Sequence, residues 1–568
     1  MNFCRRRNVF LFCFMLILWG IYGYGIERIY GFSVFQDEFG YWANAASIAG
    51  YDWSGCAGLY SYYSYGYSLL LAVVLKLFQD SMTAYRAAIA LNVILLCITT
   101  IMIWKIVDSL FTEAGEGKKI FSLGVAVFYP VTTFYMQMTL TESLLTFLYV
   151  LICYLVLCFC ESEKVSTAVS LAVILVYIFV VHMRAAGVVG ACVLVLGWRG
   201  YRQRSGRKAL LIGAVVFVLC MILGMHFKGF FEDTVYGSTS QEMLVLNDVT
   251  GQVGKIKTFF SVDGIYNFLH SVLGKLFYLG MATWGTLYFA ITYCIRHCRK
   301  TIMQFILLSA TAQFLVSALY MSSPGRIDTV VYGRYNDYLM PLLIVIGILE
   351  MISGRYLYRK TAAVIVGNGI AMGVLIRYMR QEDLYLLKGY FAAGMGYVWK
   401  ARKSWDTDID VAWEMGKAYL VCAVLIVLLV LCVEIIRHIR NTEWVLCGFI
   451  CVEIILSMVL SSKYTFLFND INYGCLRVVD YLQENDKKQV LYIDEGGFPY
   501  IDLVQFYMRD LSIDIWKADA ETDWEQLLDE NACLLVNEDC SYLEELEMMK
   551  EPCIQSGSLI VFDWEHEK

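Results

Sequence analysis

The feature that most constrains this chain is the recurrence of apolar runs long enough to cross a bilayer. A hydrocarbon core about 30 Å thick needs about 20 apolar residues per helix. Thirteen stretches come near that length: approximately Asn8–Ile26, Ala84–Val107, Ile120–Tyr135, Glu142–Cys160, Thr167–Val181, Gly187–Trp198, Ala209–His226, Gly274–Ile295, Ile302–Met321, Leu339–Ser353, Thr361–Tyr378, Ala418–Ile436 and Val445–Ser461. Thr167–Val181 and Gly187–Trp198 read either as two spans or as one bent span. The bulk composition agrees: 59% of residues are hydrophobic and 17% charged, against about 45–50% apolar and about 25% charged in soluble domains. This excludes a soluble enzyme and a disordered or fibrous chain. A net charge of -7 leaves no basic footprint for nucleic acid. Most of the 19 cysteines lie inside apolar runs, where Cys behaves as a small hydrophobe. Cys475, Cys533, Cys540 and Cys553 lie outside such runs but lack metal-ligand spacing.

Charge sets the orientation. Short cytoplasmic loops collect Lys and Arg. With thirteen spans, one face receives Arg5–Arg7, Lys118 and Lys119, Arg199–Lys208, Arg296–Lys300, Arg355–Lys360, and Arg437 with Arg440. The N-terminus is therefore expected in the cytoplasm and the C-terminus outside. The first helix follows three arginines without a small-residue cleavage site, which predicts a retained anchor. The segments expected outside are long: 27–83, 227–273, 379–417 and 462–568. Long segments carrying their own apolar residues usually form structure and carry function.

Residues 1–461 thus form a transmembrane module with three long outer loops, and 462–568 a small α/β domain. In the latter, Val490–Asp494, Ile513–Lys517, Cys533–Asn537 and Ser558–Trp564 read as strands. Ile501–Arg509, Asp523–Leu528 and Tyr542–Met549 read as helical, so the alternation predicts a parallel or mixed sheet. Gly496-Gly497 suits a tight turn better than a phosphate cradle.

The strongest chemical constellation is in the first outer loop. Asp37 and Glu38, in Phe35-Gln36-Asp37-Glu38-Phe39-Gly40-Tyr41, place two adjacent carboxylates just beyond the first span. A tyrosine strip from Tyr60 to Tyr67 follows, with Tyr63 and Tyr65 at its centre. Then comes Leu69–Phe78, an apolar stretch too short to span and suited to the interface. The plain alternative for the acidic pair is a solvated surface. Glu142 opens the fourth span; an acid near the bilayer usually has a partner or a task, and its alternative is a helix start capped by Thr141 with the acid favoured by the dipole. Arg184 lies in a very short turn between two apolar runs, and its alternative is snorkelling to headgroups. Arg334 stands between Tyr332 and Tyr335 before the tenth span, and its alternative is an interfacial anchor.

These parts suit one reaction. A carboxylate acts as general base on an acceptor hydroxyl or amine. Arginines at the membrane boundary bind a lipid-linked phosphate and stabilise it as it leaves, and aromatic rings stack on a sugar. That is inverting glycosyl transfer from a polyprenyl-phosphate sugar. The order of parts resembles the integral-membrane glycosyltransferases of the GT-C fold, nearest in plan to the protein O-mannosyltransferases and the bacterial lipid A aminoarabinose transferases. The likeness rests on Asp37-Glu38 with Tyr41 and Ala45, on Tyr63–Tyr67 running into Leu69-Leu70-Leu71, on Glu142 and Arg184, and on Arg334-Tyr335 before Pro341. Serine and glycine stand in the strip where that family usually has proline. The resemblance implies a polytopic α-helical membrane enzyme with about thirteen spans and an outer C-terminal domain. It also implies Asp37 as base, with Glu38 placing the acceptor or a metal, and Glu142 orienting the acceptor or sharing a cation. Arg184 and Arg334 fall on the lipid phosphate, and Tyr41, Tyr63, Tyr65, Tyr332 and Tyr335 line the substrate. Members of the family differ in metal use, so a divalent cation stays open. The two adjacent carboxylates are expected to titrate as a coupled pair. The setting is a bacterial plasma membrane, and the partners are a polyprenyl-phosphate sugar and an extracytoplasmic acceptor.

Two rival classes remain. A surface-polysaccharide ligase or polymerase would use the late outer loop Met379–Lys417, with Lys388, Lys400, Arg402 and Lys403. A transporter would use Glu350, Glu434 and Glu453, but these sit on separate spans with no matched pair of broken helices.

Overall fold

The computed structural model describes residues 3–564 except 247–255, 258, 323–326, 385–386, 401–409, 440–442, 496–499 and 518–532. Gly496-Gly497, Asp523–Leu528, Arg402 and Lys403 lie outside the described residues. The chain divides into two compact units. The first comprises Met1–Tyr24, Ala90–Gly224 and Gln252–Tyr464; the second comprises Gly25–Ile89, Met225–Gly251 and Thr465–Lys568.

Each of the thirteen apolar stretches is helical. Among the described residues nine helices are long and apolar enough to cross a membrane: Arg6–Arg28, Ser81–Leu110, Glu142–Ser162, Met183–Arg202, Arg207–Thr234, Thr301–Tyr320, Leu357–Gln381, Val411–His438 and Glu443–Glu484. A tenth is counted if Ile327–Asp337 and Met340–Ser353, bent by 82° at a short break, form one span. The other predicted spans are shorter or broken. Ile120–Tyr135 divides into Glu116–Val127 and Pro130–Tyr135, because Pro130 cannot donate into a continuing helix but fits a first turn. Gly274–Ile295 divides into Val262–Ala282 and Thr286–Arg296. There Trp284 and Gly285 take left-handed backbone (φ 51° and 78°), which breaks the helix inside a continuous apolar run. Val165–Val181 and Ala186–Arg202 are two helices, separated by the 3-10 turn Met183–Ala185.

The basic loops are tied to one another at one end of the first unit. Arg6 pairs with Glu443 at 2.6 Å and Lys119 with Asp108 at 2.6 Å. Arg199 reaches Glu163 at 2.7 Å and Thr301 at 3.4 Å. Arg296 pairs with Glu350, and Arg437 Nε donates to the Ile352 carbonyl at 3.0 Å. Stretches far apart in sequence therefore share one end, as alternating spans require. The positive-inside rule predicts that this end is cytoplasmic. In intact cells an impermeant thiol reagent is expected to give Arg204→Cys no labelling above the parent chain until the membrane is permeabilised; labelling before that step would reverse the orientation.

In the second unit, β1 (Gln489–Ile493), β2 (Ser512–Trp516), β3 (Cys533–Asn537), β4 (Ile554–Ser556) and β5 (Leu559–Asp563) form one mixed sheet in the order β2-β1-β3-β5-β4. β1 runs parallel to β2 and β3, while β5 is antiparallel to β3 and β4. Alternate residues Leu491 and Ile493, Leu534 and Val536, and Ile560 and Phe562 share one buried face with Leu546 of the helix Leu543–Met549. Strand β4 is absent from the sequence reading. It is three residues long and is joined to β5 by a tight turn at Gly557, whose φ of 61° suits a hairpin turn.

The first outer loop belongs to this unit by compactness, although the sequence groups it with the membrane module. Trp53 Nε1 donates to the Arg509 carbonyl at 3.0 Å, and the Tyr60 hydroxyl to Asp502 at 2.7 Å. Asn469 Oδ1 accepts the backbone N–H groups of Tyr30 and Gly31. The Phe506 ring packs 4.7 Å from Phe32 and 5.2 Å from Trp42. The helix Ser68–Leu77 leaves Leu69, Val73 and Leu77 exposed and buries Leu71, Ala72 and Leu75, the two-sided pattern of an interfacial helix.

Candidate active site

The acidic motif opens the helix Phe35–Ala49. Neighbouring helical residues do not face each other, and Asp37 and Glu38 diverge accordingly. Asp37 is half-buried and accepts the Tyr63 hydroxyl at 3.0 Å. Burial, reinforced by the Asp37 charge, pushes the Tyr63 pKa well above the ordinary tyrosine value, so the phenol stays a donor. Tyr63 can approach because residue 40 is glycine: a Cβ there would sit 2.1 Å from the Tyr63 ring. Tyr41 packs edge-on to Tyr63, with centroids 5.6 Å apart.

Glu38 turns inward and is fully buried. One oxygen accepts the backbone N–H groups of Ser33 and Val34 at 2.7 and 2.8 Å, and the other accepts the Tyr85 hydroxyl. The expectation of two carboxylates sharing one site is thus corrected by helix geometry. The task of placing an acceptor or metal is also at odds with a carboxylate held by three protein donors; Glu38 instead fixes the entry to the helix. Tyr65 likewise departs from a common lining: it is buried and stacks on Phe231 at 5.1 Å. Glu38→Gln keeps the shape but weakens charge-assisted bonds. It is expected to lower stability by about 1.5–3 kcal/mol, measured by thermal unfolding in detergent, with a smaller effect on turnover per folded molecule.

The other candidates converge within the first unit. Glu142 begins the helix Glu142–Ser162, a first-turn position favoured by the helix dipole. Its Oε1 receives Arg184 Nη2 at 2.7 Å and Arg334 Nε at 2.5 Å. Thr141 does not cap the helix with its side chain; its hydroxyl lies 3.3 Å from Arg184 Nη2. Arg184 is held in the 3-10 turn Met183–Ala185, and its guanidinium lies over the Tyr335 ring at 4.8 Å. Arg334 starts the turn Arg334–Asp337 and stands 5.6 Å from the Phe391 ring. The rings of Tyr332 and Tyr335 are 5.0 Å apart. Both arginines are more than nine-tenths buried, so neither snorkels nor anchors at an interface. Glu142 Oε2 and Arg184 Nε and Nη1 have no hydrogen-bond partner among the described residues.

Lys275 was missed by the sequence reading. It is fully buried, donates to Ser271 Oγ at 2.9 Å and the Thr329 carbonyl at 3.0 Å, and lies 5.9 Å from the Tyr332 ring. Its signal was a lysine inside an apolar run. Among the described residues no three His, Cys, Asp or Glu side chains are grouped to hold a metal ion.

No protein-family profile and no curated protein matches the sequence. Solved structures do match. ArnT from Cupriavidus metallidurans bound to undecaprenyl phosphate aligns over 97% of both chains at a TM-score of 0.56 and 12% identity. The apo state of the same protein aligns over 98% of this chain and 97% of that one at 0.53 and 13%. The fold is GT-C. Within it, the sequence-predicted residues form one group in each unit. Asp37, Glu38, Tyr41 and Tyr63 belong to the second. Glu142, Arg184, Arg334, Tyr332 and Tyr335 belong to the first. The first-unit group is a buried cluster in which two guanidinium groups share one carboxylate, so these three side chains together carry a net charge of +1. Such a cluster is costly in isolation and is stabilised by pairing, and its spare N–H donors suit an anion.

Proposed function

We propose that this protein is an inverting glycosyltransferase that moves a sugar from a polyprenyl-phosphate donor to an acceptor on the outer face of a bacterial plasma membrane. The observation that carries the proposal is the Arg184–Glu142–Arg334 cluster, whose net charge of +1 matches a phosphodiester of charge -1. The likeness to ArnT, solved with undecaprenyl phosphate, supports a lipid phosphate as that anion. Asp37 takes the proton from the acceptor hydroxyl. The acceptor oxygen then bonds to the anomeric carbon from the face opposite the phosphate, and the bond between that carbon and the phosphate oxygen breaks. Polyprenyl phosphate leaves with the bonding pair, and the two guanidinium groups stabilise the added charge. Glu142 aims both arginines and does not itself react. Tyr63 holds Asp37 through its hydroxyl.

The test is to incubate purified protein with a panel of polyprenyl-phosphate sugars and follow release of polyprenyl phosphate. Release with at least one donor, accompanied by a product of inverted anomeric configuration, is the expected result. Release only from pyrophosphate-linked chains would favour the ligase or polymerase class. No release from any donor, together with substrate uptake in proteoliposomes, would favour a transporter.

A further inference from the structure

A groove of about 660 Å³ runs between the helices Phe3–Gly23, Ser81–Leu110 and Glu142–Ser162, wholly within the first unit. Its lining changes character along its length. Leu11, Met15, Ile101, Trp104 and Leu157 make an apolar half. Arg7, Lys105, Asp108, Ser109 and Glu161 make a polar half. At 1.5 Å per residue, Arg7 and Met15 are about 12 Å apart along the helix axis, enough for a lipid headgroup and the first part of an acyl chain. The polar half lies at the end of the unit that carries the basic loops, since Asp108 pairs there with Lys119 at 2.6 Å.

The polar half holds both signs of charge, and they do not cancel. Asp108 is matched by Lys119. Arg7 and Lys105 have no acidic partner among the described residues: Arg7 Nε donates to Asn8 Oδ1 at 3.0 Å, and Lys105 lies 5.5 Å from the Tyr154 ring. Glu161 has no basic partner among them and receives the Ser109 hydroxyl at 3.3 Å. Ser109 and Glu161 are also in the last turns of their helices, so two helix C-termini, with their partial negative charge, open on the same place. A bare phosphate would suit Arg7 and Lys105 but meet Glu161 and the helix ends. A bare amine would suit the latter and meet the two cations. A headgroup carrying both charges, a phosphate and a primary ammonium, satisfies all of them.

We propose that this groove binds phosphatidylethanolamine from the cytoplasmic leaflet. The phosphate sits between Arg7 and Lys105, the ammonium donates to Glu161, and one acyl chain lies along Leu11, Met15 and Trp104. Basic pockets between transmembrane helices on that side are suited to headgroups, and the unpaired glutamate selects the ethanolamine. The site is independent of the proposed glycosyl transfer and shares no residue with it.

The experiment uses the full-length protein, delipidated in mild detergent and titrated with dioleoyl phosphatidylethanolamine, phosphatidylcholine or phosphatidylglycerol, with bound lipid counted by native mass spectrometry. Phosphatidylethanolamine is expected to bind about tenfold more tightly than phosphatidylcholine, whose trimethylated nitrogen cannot donate to Glu161. Arg7→Gln with Lys105→Gln should weaken it by about tenfold or more. Glu161→Gln should abolish the preference for phosphatidylethanolamine over phosphatidylglycerol. These side chains lie at the rim, so unfolding midpoints without lipid should match wild type; a variant with a lowered midpoint is replaced by the single change Lys105→Gln. Equal binding of all three lipids by wild type would overturn the proposal. So would a phosphatidylglycerol preference that Glu161→Gln leaves unchanged, which would mark a site for anionic lipid instead.

Discussion

An Asp37→Asn protein is expected to release polyprenyl phosphate about 10²–10⁴-fold more slowly than wild type in a single turnover at saturating donor. The substitution keeps the size of the side chain and can keep the contact with the Tyr63 hydroxyl, which lies 3.0 Å from the carboxylate. It removes the ability to accept a proton. Donor affinity should change little, because the phosphate contacts are assigned to the other group of residues. The comparison that gives the result its meaning is Glu38→Gln. Glu38 is buried with both oxygens engaged by Ser33, Val34 and Tyr85. Its loss should appear mainly as lower stability, with turnover per folded molecule much nearer wild type. A fully active Asp37→Asn beside a dead but folded Glu38→Gln would move the base to Glu38. Full activity in both would remove the acidic motif from the chemistry.

The two carboxylates also illustrate what one sequence carries. That an acidic pair stands beyond the first span is legible from residue order. Which member faces the loop's tyrosines depends on where the helix begins. With Phe35 as the first helical residue, successive side chains turn by about 100°, and Glu38 points back at the residues that precede the helix. Hydropathy located all thirteen helical stretches because burial in lipid and burial in protein impose the same apolar demand. For that reason it could not see the break at Trp284-Gly285, where the run is apolar throughout and only the backbone changes. Pro130 did mark a break, and the sequence reading passed over it. The cationic cluster was legible only as three separate residues. Glu142, Arg184 and Arg334 meet through helix packing across 42 and 192 positions, and no local pattern encodes a contact of that range. Their burial, which removes the interfacial-anchor alternative, is likewise a property of packing. Lys275 had a local signal in full view: a charge in the middle of an apolar run requires compensation, here from Ser271 and the Thr329 carbonyl.

Arg334→Lys should then be nearly as damaging to donor binding as Arg334→Ala. Arg334 reaches Glu142 through Nε at 2.5 Å, and its planar guanidinium presents its donors as a rigid fork matched to carboxylate and phosphate. A lysine offers one compact ammonium on a flexible stem and cannot hold the carboxylate and span a phosphate together. The expected loss is about 1.5–3 kcal/mol of donor binding if one charge-assisted hydrogen bond goes, which is about 10–150-fold in affinity. It would be read by titrating a non-transferable donor analogue. Glu142→Gln should act differently. It leaves two buried guanidinium groups facing each other without their shared counter-charge, and breaking a buried pair in this way costs about 3–5 kcal/mol. That loss falls on folding as well as on donor binding, and a bound phosphate should recover part of it. Added polyprenyl phosphate should therefore raise the unfolding midpoint of Glu142→Gln more than that of wild type, because the ligand supplies the anion the variant has lost. If the two midpoints rose equally, and Arg334→Ala bound donor as wild type does, the cluster would be a structural ion pair and the phosphate site would lie elsewhere.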